Sequence, residues 1–227
     1  MNLSQDGILL LMCSIPAVVA GLTVHEFAHA YAAHKLGDDT AKNQGRLTLD
    51  PMAHLDLFGS IFFVLMMLSG YGIGWAKPVP VNRRNLTNPR RDDALIAVAG
   101  PISNILQVPI WMALIFVFGF IATKLQINAP DIIPIFAQAL VLGVTINITL
   151  AAFNMIPFPP LDGHWILQSI GGRPIEELFD AIRPYSFIAL VLLINFTPIV
   201  QYTIGPLRNF AQSLAVQTLQ AGISLGG

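Results

Sequence analysis

Three observations predict that this chain is an all-α polytopic membrane protein. First, its 227 residues are 54% hydrophobic and only 11% charged, where a soluble domain carries roughly 25% charge. That leaves too little polar surface to coat a water-soluble globule. Second, the charges are clustered: residues 7–24, 57–76, 94–123, 132–161 and 184–207 contain no Asp, Glu, Lys or Arg, and a bilayer-spanning helix needs only about 20 apolar residues. Third, the longest polar stretches, Gly37–Asp56, Lys77–Asp93 and Asp162–Arg183, have the size of loops rather than of a second soluble domain. We expect one membrane-embedded domain over 1–227, with a core at 7–170 and C-terminal helices at 184–225.

The first helix is expected from Gly7 to Leu36, stopping at Gly37-Asp38-Asp39. At 1.5 Å per residue it measures roughly 45 Å, longer than the roughly 30 Å hydrocarbon core, so one end must tilt or protrude. No Lys or Arg precedes residue 25, so this segment lacks the basic start of a cleavable signal peptide and reads as a membrane helix. Gln44–Asp50 alternates, with Leu47 and Leu49 on one face and Arg46, Thr48 and Asp50 on the other. This is the pattern of a short β-strand. Lys77-Pro78-Val79-Pro80-Val81 reads as a second extended segment, confined by its prolines to an edge.

Between them, Leu57–Trp75 is apolar but broken by Gly59, Gly70, Gly72 and Gly74; local pattern leaves a full span and a re-entrant hairpin both open. Further spans are expected at Ala94–Thr123, Ile132–Phe153 and Pro184–Ile204, followed by an interfacial or partly inserted helix at Leu207–Ile223. The total is about 5–6 membrane segments, counting the hairpin.

Composition also narrows function. A formal net charge of −1 without a basic stripe excludes the electrostatic footprint of a nucleic-acid binder. The single cysteine, Cys13, supports neither an internal disulfide nor a cysteine-based zinc site.

The chemistry lies in His25-Glu26-Phe27-Ala28-His29, inside the first apolar segment. Titratable groups in a membrane helix are costly and mark function. Histidines at i and i+4 differ by about 40° around a helix and can share one metal ion, with the intervening Glu26 directed at a metal-bound water. With five His and three Glu in the chain, such a motif arises by chance about once in seven hundred sequences of this composition. His25 lies about 11 residues, or roughly 16 Å, from the helix end, so the metal is expected inside the bilayer.

Two histidines leave a catalytic zinc one protein ligand short. Asp162 is the candidate third. It closes the uncharged run 132–161 within Asn154-Met155-Ile156-Pro157-Phe158-Pro159-Pro160-Leu161-Asp162-Gly163, where three prolines in four positions forbid a helix. Irregular backbone at membrane depth must line a cavity or be buried in protein, which makes this segment a good site wall. Asp50, Asp56 and Asp131 compete from polar loops, and His164 competes from two residues away. Asn154 carries an amide able either to donate to a developing oxyanion or to bond its own helix backbone. His34 lies about 180° from His25 around the helix and cannot face the same metal. His54, beside Asp56 in the polar loop, reads as a turn or strand-pairing residue rather than a ligand.

The pairing of His25–His29 with Asn154–Gly163 resembles the site-2 protease family of intramembrane zinc metalloproteases. Gly100-Pro101-Ile102-Ser103-Asn104, Gly45-Arg46-Leu47-Thr48-Leu49 and Gly74-Trp75-Ala76-Lys77-Pro78-Val79-Pro80-Val81 extend the match over about residues 7–170. The resemblance implies one Zn2+ per chain held by His25, His29 and Asp162, with Glu26 as general base and Asn154 as an oxyanion or substrate-positioning group. Many relatives carry PDZ or CBS domains; no stretch of this chain has room for either, so a minimal member is expected.

A shared metal requires the C-terminal ends of the first helix and of the Ile132 helix to face one side, which they do only if Leu57–Trp75 re-enters. Lys35, Lys42, Arg46, Lys77, Arg83, Arg84, Arg90, Arg91, Arg173 and Arg183 then share that side, opposite Lys124, and the positive-inside rule makes it cytoplasmic. An external N-terminus and a site opening to the cytoplasm of a prokaryotic plasma membrane are expected. The implied substrate is a membrane-spanning helix that must unwind to expose its carbonyls. Strand addition at Arg46, Leu47, Thr48 and Leu49, or at Lys77–Val81, is expected to hold it. The rival reading is a small metal or ion transporter built on the same His, Glu and Asp cluster.

Overall fold

The computed structural model of the chain describes residues 5–69 and 75–227. Helix α1 (Gln5–Lys35) ends where the sequence places its stop. Gly37 turns the chain with φ 102°, a backbone conformation that an L side chain rarely adopts, and the Asp38 amide donates to Ala33 O at 2.9 Å. Two short helices, α2 (Thr40–Asn43) and α3 (Pro51–His54), lead to α4 (Leu57–Ser69). A 3-10 turn at Arg83–Asn85 precedes the long α5 (Pro89–Lys124). Proline at its first position suits a helix start, so α5 takes in Arg90–Asp93 and begins five residues before the expected Ala94. Then follow α6 (Ile133–Asn154), α7 (Gly163–Gly171), α8 (Arg173–Phe196) and α9 (Ile199–Gly226).

Helices α1, α5 and α6 form the central bundle. Along α1, His29, His25 and Gly21 meet Ile96, Asn104 and Asn104 in turn on α5, so these two helices run antiparallel. Helix α6 returns alongside α1, with Asn147 near Gly21 and Asp162, just past its end, near His25 and His29. Helix α9 covers α5 and α6 away from α1. Ile115, Val141, Val144, Ala211 and Ala215 are buried in that seam, with Trp111 and Leu219 packed against them. Trp111 lies over Gly143, and Gly222 sits against the Phe116 backbone. Small residues let membrane helices approach to backbone contact.

The fold class is all-helical as expected, with fewer crossings. Among the described residues three helices, α1, α5 and α6, are long and apolar enough to cross a membrane, or four if α8 and α9 form one broken span. The count of 5–6 segments does not stand. Helix α4 has 13 residues, about 20 Å, which is too short for a bilayer. Helix α8 carries Arg173, Glu176, Glu177, Asp180 and Arg183 in its first half, leaving another short apolar remainder. The expected continuous span Pro184–Ile204 is interrupted at Thr197-Pro198, where α8 and α9 bend by 68°.

The short strands are also corrected: among the described residues the only β feature is an isolated antiparallel bridge between Leu55 and Ala76. Local side-chain bonds take the backbone groups that a ladder would need. Residues 47–49 are bent, Gly45 has φ 69°, and the Arg46 amide turns back to Ala41 O at 2.8 Å. His54 Nε2 donates to Thr48 O at 2.8 Å. Burial does not alternate along 46–50 either: Arg46 is 5% exposed and Leu49 59%, with Leu47 and Thr48 both intermediate and Asp50 exposed.

The bridge has a topological consequence. It joins the residue before Asp56 to the residue after Trp75, and Lys77 N donates to His54 O at 2.8 Å. Both ends of the 57–75 segment therefore sit together. Residues 70–74, with the expected breaks at Gly70, Gly72 and Gly74, lie outside the described residues.

Candidate metal centre

Two turns of α1 carry the first half of the centre. His25, Glu26 and His29 are all buried, and His25 and His29 project their Nε2 atoms to within 3.0 Å of each other. The second half comes from the irregular segment after α6. Residues 155–162 are turns and bends as the prolines require, and Gly163 starts α7 so close to the Met155 and Ile156 carbonyls that a Cβ there would collide with both. This presses Asp162 toward α1. Its Oδ2 lies 3.2 Å from His25 Nε2 and 3.4 Å from His29 Nε2. His25, His29 and Asp162 are the group among the described residues whose ligand atoms, all within 4.8 Å of one another, could hold a metal ion.

The protonation pattern shows that this set fits a cation. His29 Nδ1 lies 2.7 Å from Ile96 O; a carbonyl only accepts, so Nδ1 carries the proton. His25 Nδ1 lies 2.7 Å from Asn104 Oδ1. The Asn104 amide nitrogen is committed to Gly21 O at 3.0 Å and Asn147 Oδ1 at 2.9 Å, so its oxygen faces His25 and again Nδ1 donates. With both Nδ1 atoms donating, the Nε2 atoms are the ligand nitrogens, turned toward each other and toward the Asp162 carboxylate. Three ligand atoms at this spacing suit a divalent cation, which would take the place of any proton they share. One further buried atom beside them, Glu26 Oε2, has no hydrogen-bond partner, although buried polar atoms are almost always paired. Histidine and carboxylate ligands with one open position suit catalytic zinc.

Helix α5 forms the back wall. Ile96, Gly100 and Asn104 recur at four-residue spacing on one face, and a Cβ at Gly100 would collide with both imidazoles. The quoted Gly100–Asn104 run marks this wall in the sequence. What the sequence reading missed is that Asn104 holds His25, that Asn147 holds Asn104, and that the Ile96 carbonyl holds His29. A backbone acceptor leaves no signal in sequence.

The other candidates fall outside the cluster. Asn154 Nδ2 donates to Leu150 O on its own helix at 3.1 Å. His164 is buried with its Nδ1 on Leu161 O at 2.5 Å and its ring against Phe179. His34 pairs with Asp39. His54 is buried and bonds Thr48, as a turn residue. Arg46 is buried away from the centre, its Nη2 donating to Lys77 O at 2.6 Å.

Comparison with known proteins agrees with this geometry. Residues 126–194, which include Asp162, match the family described as Peptidase family M50. YwhC of Bacillus subtilis, whose name describes a zinc metalloprotease, is 35% identical over 208 residues, covering 90% of this chain and 89% of that protein. The chain belongs to peptidase family M50. Rip2 of Mycobacterium tuberculosis strain H37Rv is 32% identical over 186 residues, 78% of this M50 chain and 64% of its own. MJ0611 of Methanocaldococcus jannaschii is 29% identical over 162 residues, 71% and 72% of the two chains. The names of both also describe zinc metalloproteases. No solved structure matches the M50 chain.

Proposed function

We propose that this chain is an intramembrane zinc metalloprotease that hydrolyses peptide bonds within or near the transmembrane segments of other proteins. The observation that carries the reading is the convergence of His25 Nε2, His29 Nε2 and Asp162 Oδ2 beside Glu26, within a bundle whose helices are apolar enough to cross a bilayer.

His25, His29 and Asp162 would hold the zinc. Bound there, zinc supplies a Lewis acid that polarises a carbonyl and acidifies water. Glu26 takes the proton of the water that attacks the scissile carbonyl, then returns it to the departing amine nitrogen as the carbon–nitrogen bond breaks. Burial keeps bulk water from Glu26 and strengthens each charge interaction there. Asn154 spends one N–H on Leu150 O, and its second N–H is the candidate donor to the substrate oxygen. The extended Lys77–Val81 segment supports strand-like substrate binding better than the bent Arg46–Leu49 backbone does.

The paired ends at Leu55 and Ala76 support a re-entrant 57–75 segment, which turns the site end of the bundle toward the cytoplasm by the positive-inside rule. The transporter reading is not favoured, because the matching family and the relatives' names describe peptidases. The test is cleavage of a membrane-spanning peptide by the purified chain in lipid vesicles with zinc. No cleavage of any of a panel of transmembrane peptides, with zinc bound, would remove the protease reading.

A further inference from the structure

The two candidate histidine ligands are held by unlike means. His29 leans on a backbone carbonyl, Ile96 O, which no side-chain substitution removes. His25 leans on the Asn104 side chain, an amide that would present an N–H instead of its oxygen if turned by 180°. With a donor facing Nδ1, His25 would carry its proton on Nε2, the atom needed for the metal. The tautomer of His25 is thus set by which way one amide points.

That amide is locked. Asn104 is 0% exposed, as is Asn147. Asn104 Nδ2 donates to Gly21 O and to Asn147 Oδ1, while Asn147 Nδ2 donates to Gly143 O at 2.9 Å. Turning Asn104 would put its oxygen against two other oxygens and lose two buried hydrogen bonds. Within a low-dielectric bundle this is a strong constraint. The chain of bonds also ties α1, α5 and α6 together at the depth of His25.

We infer that Asn104 is a positioning residue of the zinc site: it fixes the tautomer and ring orientation of His25, with Gly21 O and Asn147 fixing Asn104. The inference rests on the zinc reading of the site. Partners of this kind typically change metal affinity by about 10–100-fold when removed.

Three variants of the full chain in detergent separate positioning from simple bracing. Zinc affinity is read by chelator competition, and the unfolding midpoint is read without metal. Asn104→Leu removes the acceptor facing His25 and is expected to weaken zinc binding by about 10–100-fold. Asn104→Asp keeps an acceptor facing His25 but sets its second oxygen against Gly21 O and Asn147 Oδ1, so it is expected to lower the unfolding midpoint about as much as Asn104→Leu while binding zinc at least about threefold more tightly than that variant. Asn147→Leu removes one of the two acceptors that hold the Asn104 amide and is expected to weaken zinc binding by less than Asn104→Leu does. If Asn104→Leu does not fold, Asn147→Leu decides: weaker zinc binding than in the starting chain supports the inference and unchanged affinity overturns it. Asn104→Leu binding zinc within about threefold of the starting chain, or as tightly as Asn104→Asp, also overturns the inference. An unsubstituted chain that binds no zinc overturns the metalloprotease reading itself, and the inference with it.

Discussion

His25 Nε2 and His29 Nε2 stand 3.0 Å apart, turned to each other because each ring's Nδ1–H is committed to Asn104 Oδ1 or Ile96 O. Two ring nitrogens at that distance repel unless a proton or a metal cation lies among them, and Asp162 Oδ2 completes the set at 3.2 and 3.4 Å. Asp162→Ala should therefore lower zinc affinity by at least about 10-fold, because a catalytic zinc rarely holds with two protein ligands. Equilibrium dialysis against radioactive zinc measures this. Undiminished binding would take Asp162 out of the ligand set.

Gly100 faces both imidazoles with no room for a Cβ. Gly100→Ala must push α5 from α1 or displace both rings, and forcing a methyl into a packed interior costs about 1–3 kcal/mol. We expect a lower unfolding midpoint together with loss of zinc, read by thermal scanning and metal analysis of the same sample.

Asp38 braces the loop end of the bundle. It is buried, and its carboxylate accepts from Thr40 N at 3.1 Å, Asn85 Nδ2 at 2.7 Å and Asn82 N at 2.7 Å, joining the end of α1 to the segment before α5. Burial pushes its pKa up, but the Thr40, Asn82 and Asn85 donors hold it below its ordinary 3.8. Its stabilisation is thus complete above about pH 4 and disappears as pH falls through the folded-state value. Asp38→Ala should cost about 1–3 kcal/mol at neutral pH and make the loss of stability below about pH 4 shallower, as denaturant titrations across pH would show.

Much of this architecture was legible in the sequence because the bilayer imposes strict rules. Uncharged windows gave α1, α5 and α6 to within a few residues, and three prolines gave the irregular Asn154–Gly163 wall. His25, Glu26, His29 and Asp162 stood out as titratable groups where such groups are expensive. The strand at Gln44–Asp50 was misread because alternation in a seven-residue window does not reveal that Arg46 is buried against the Lys77 carbonyl, or that His54 takes the Thr48 carbonyl. Crossings were overcounted because hydropathy windows do not register the 68° bend at Thr197-Pro198 between α8 and α9 or the charges in the first half of α8. The support around the metal ligands was hidden for a different reason: Asn104 acts across 79 residues of sequence from His25, and Ile96 acts through its backbone.

The orientation is open to direct labelling. In a Cys13→Ala background, single cysteines at Asn88, Gln5 and Asp131 should react with an impermeant maleimide from the cytoplasmic side for Asn88 and from the external side for Gln5 and Asp131. Reaction of Asn88 from outside would reverse the assignment of the site to the cytoplasmic face.

The central claim is that Glu26 moves protons while His25, His29 and Asp162 hold zinc, and Glu26→Gln tests it most directly. Metal content and cleavage of a membrane-spanning substrate should be measured on one preparation in vesicles. The expected result is about one zinc per chain, as in the parent, with cleavage reduced by at least about 100-fold. Cleavage at the parent rate with zinc in place would contradict the account.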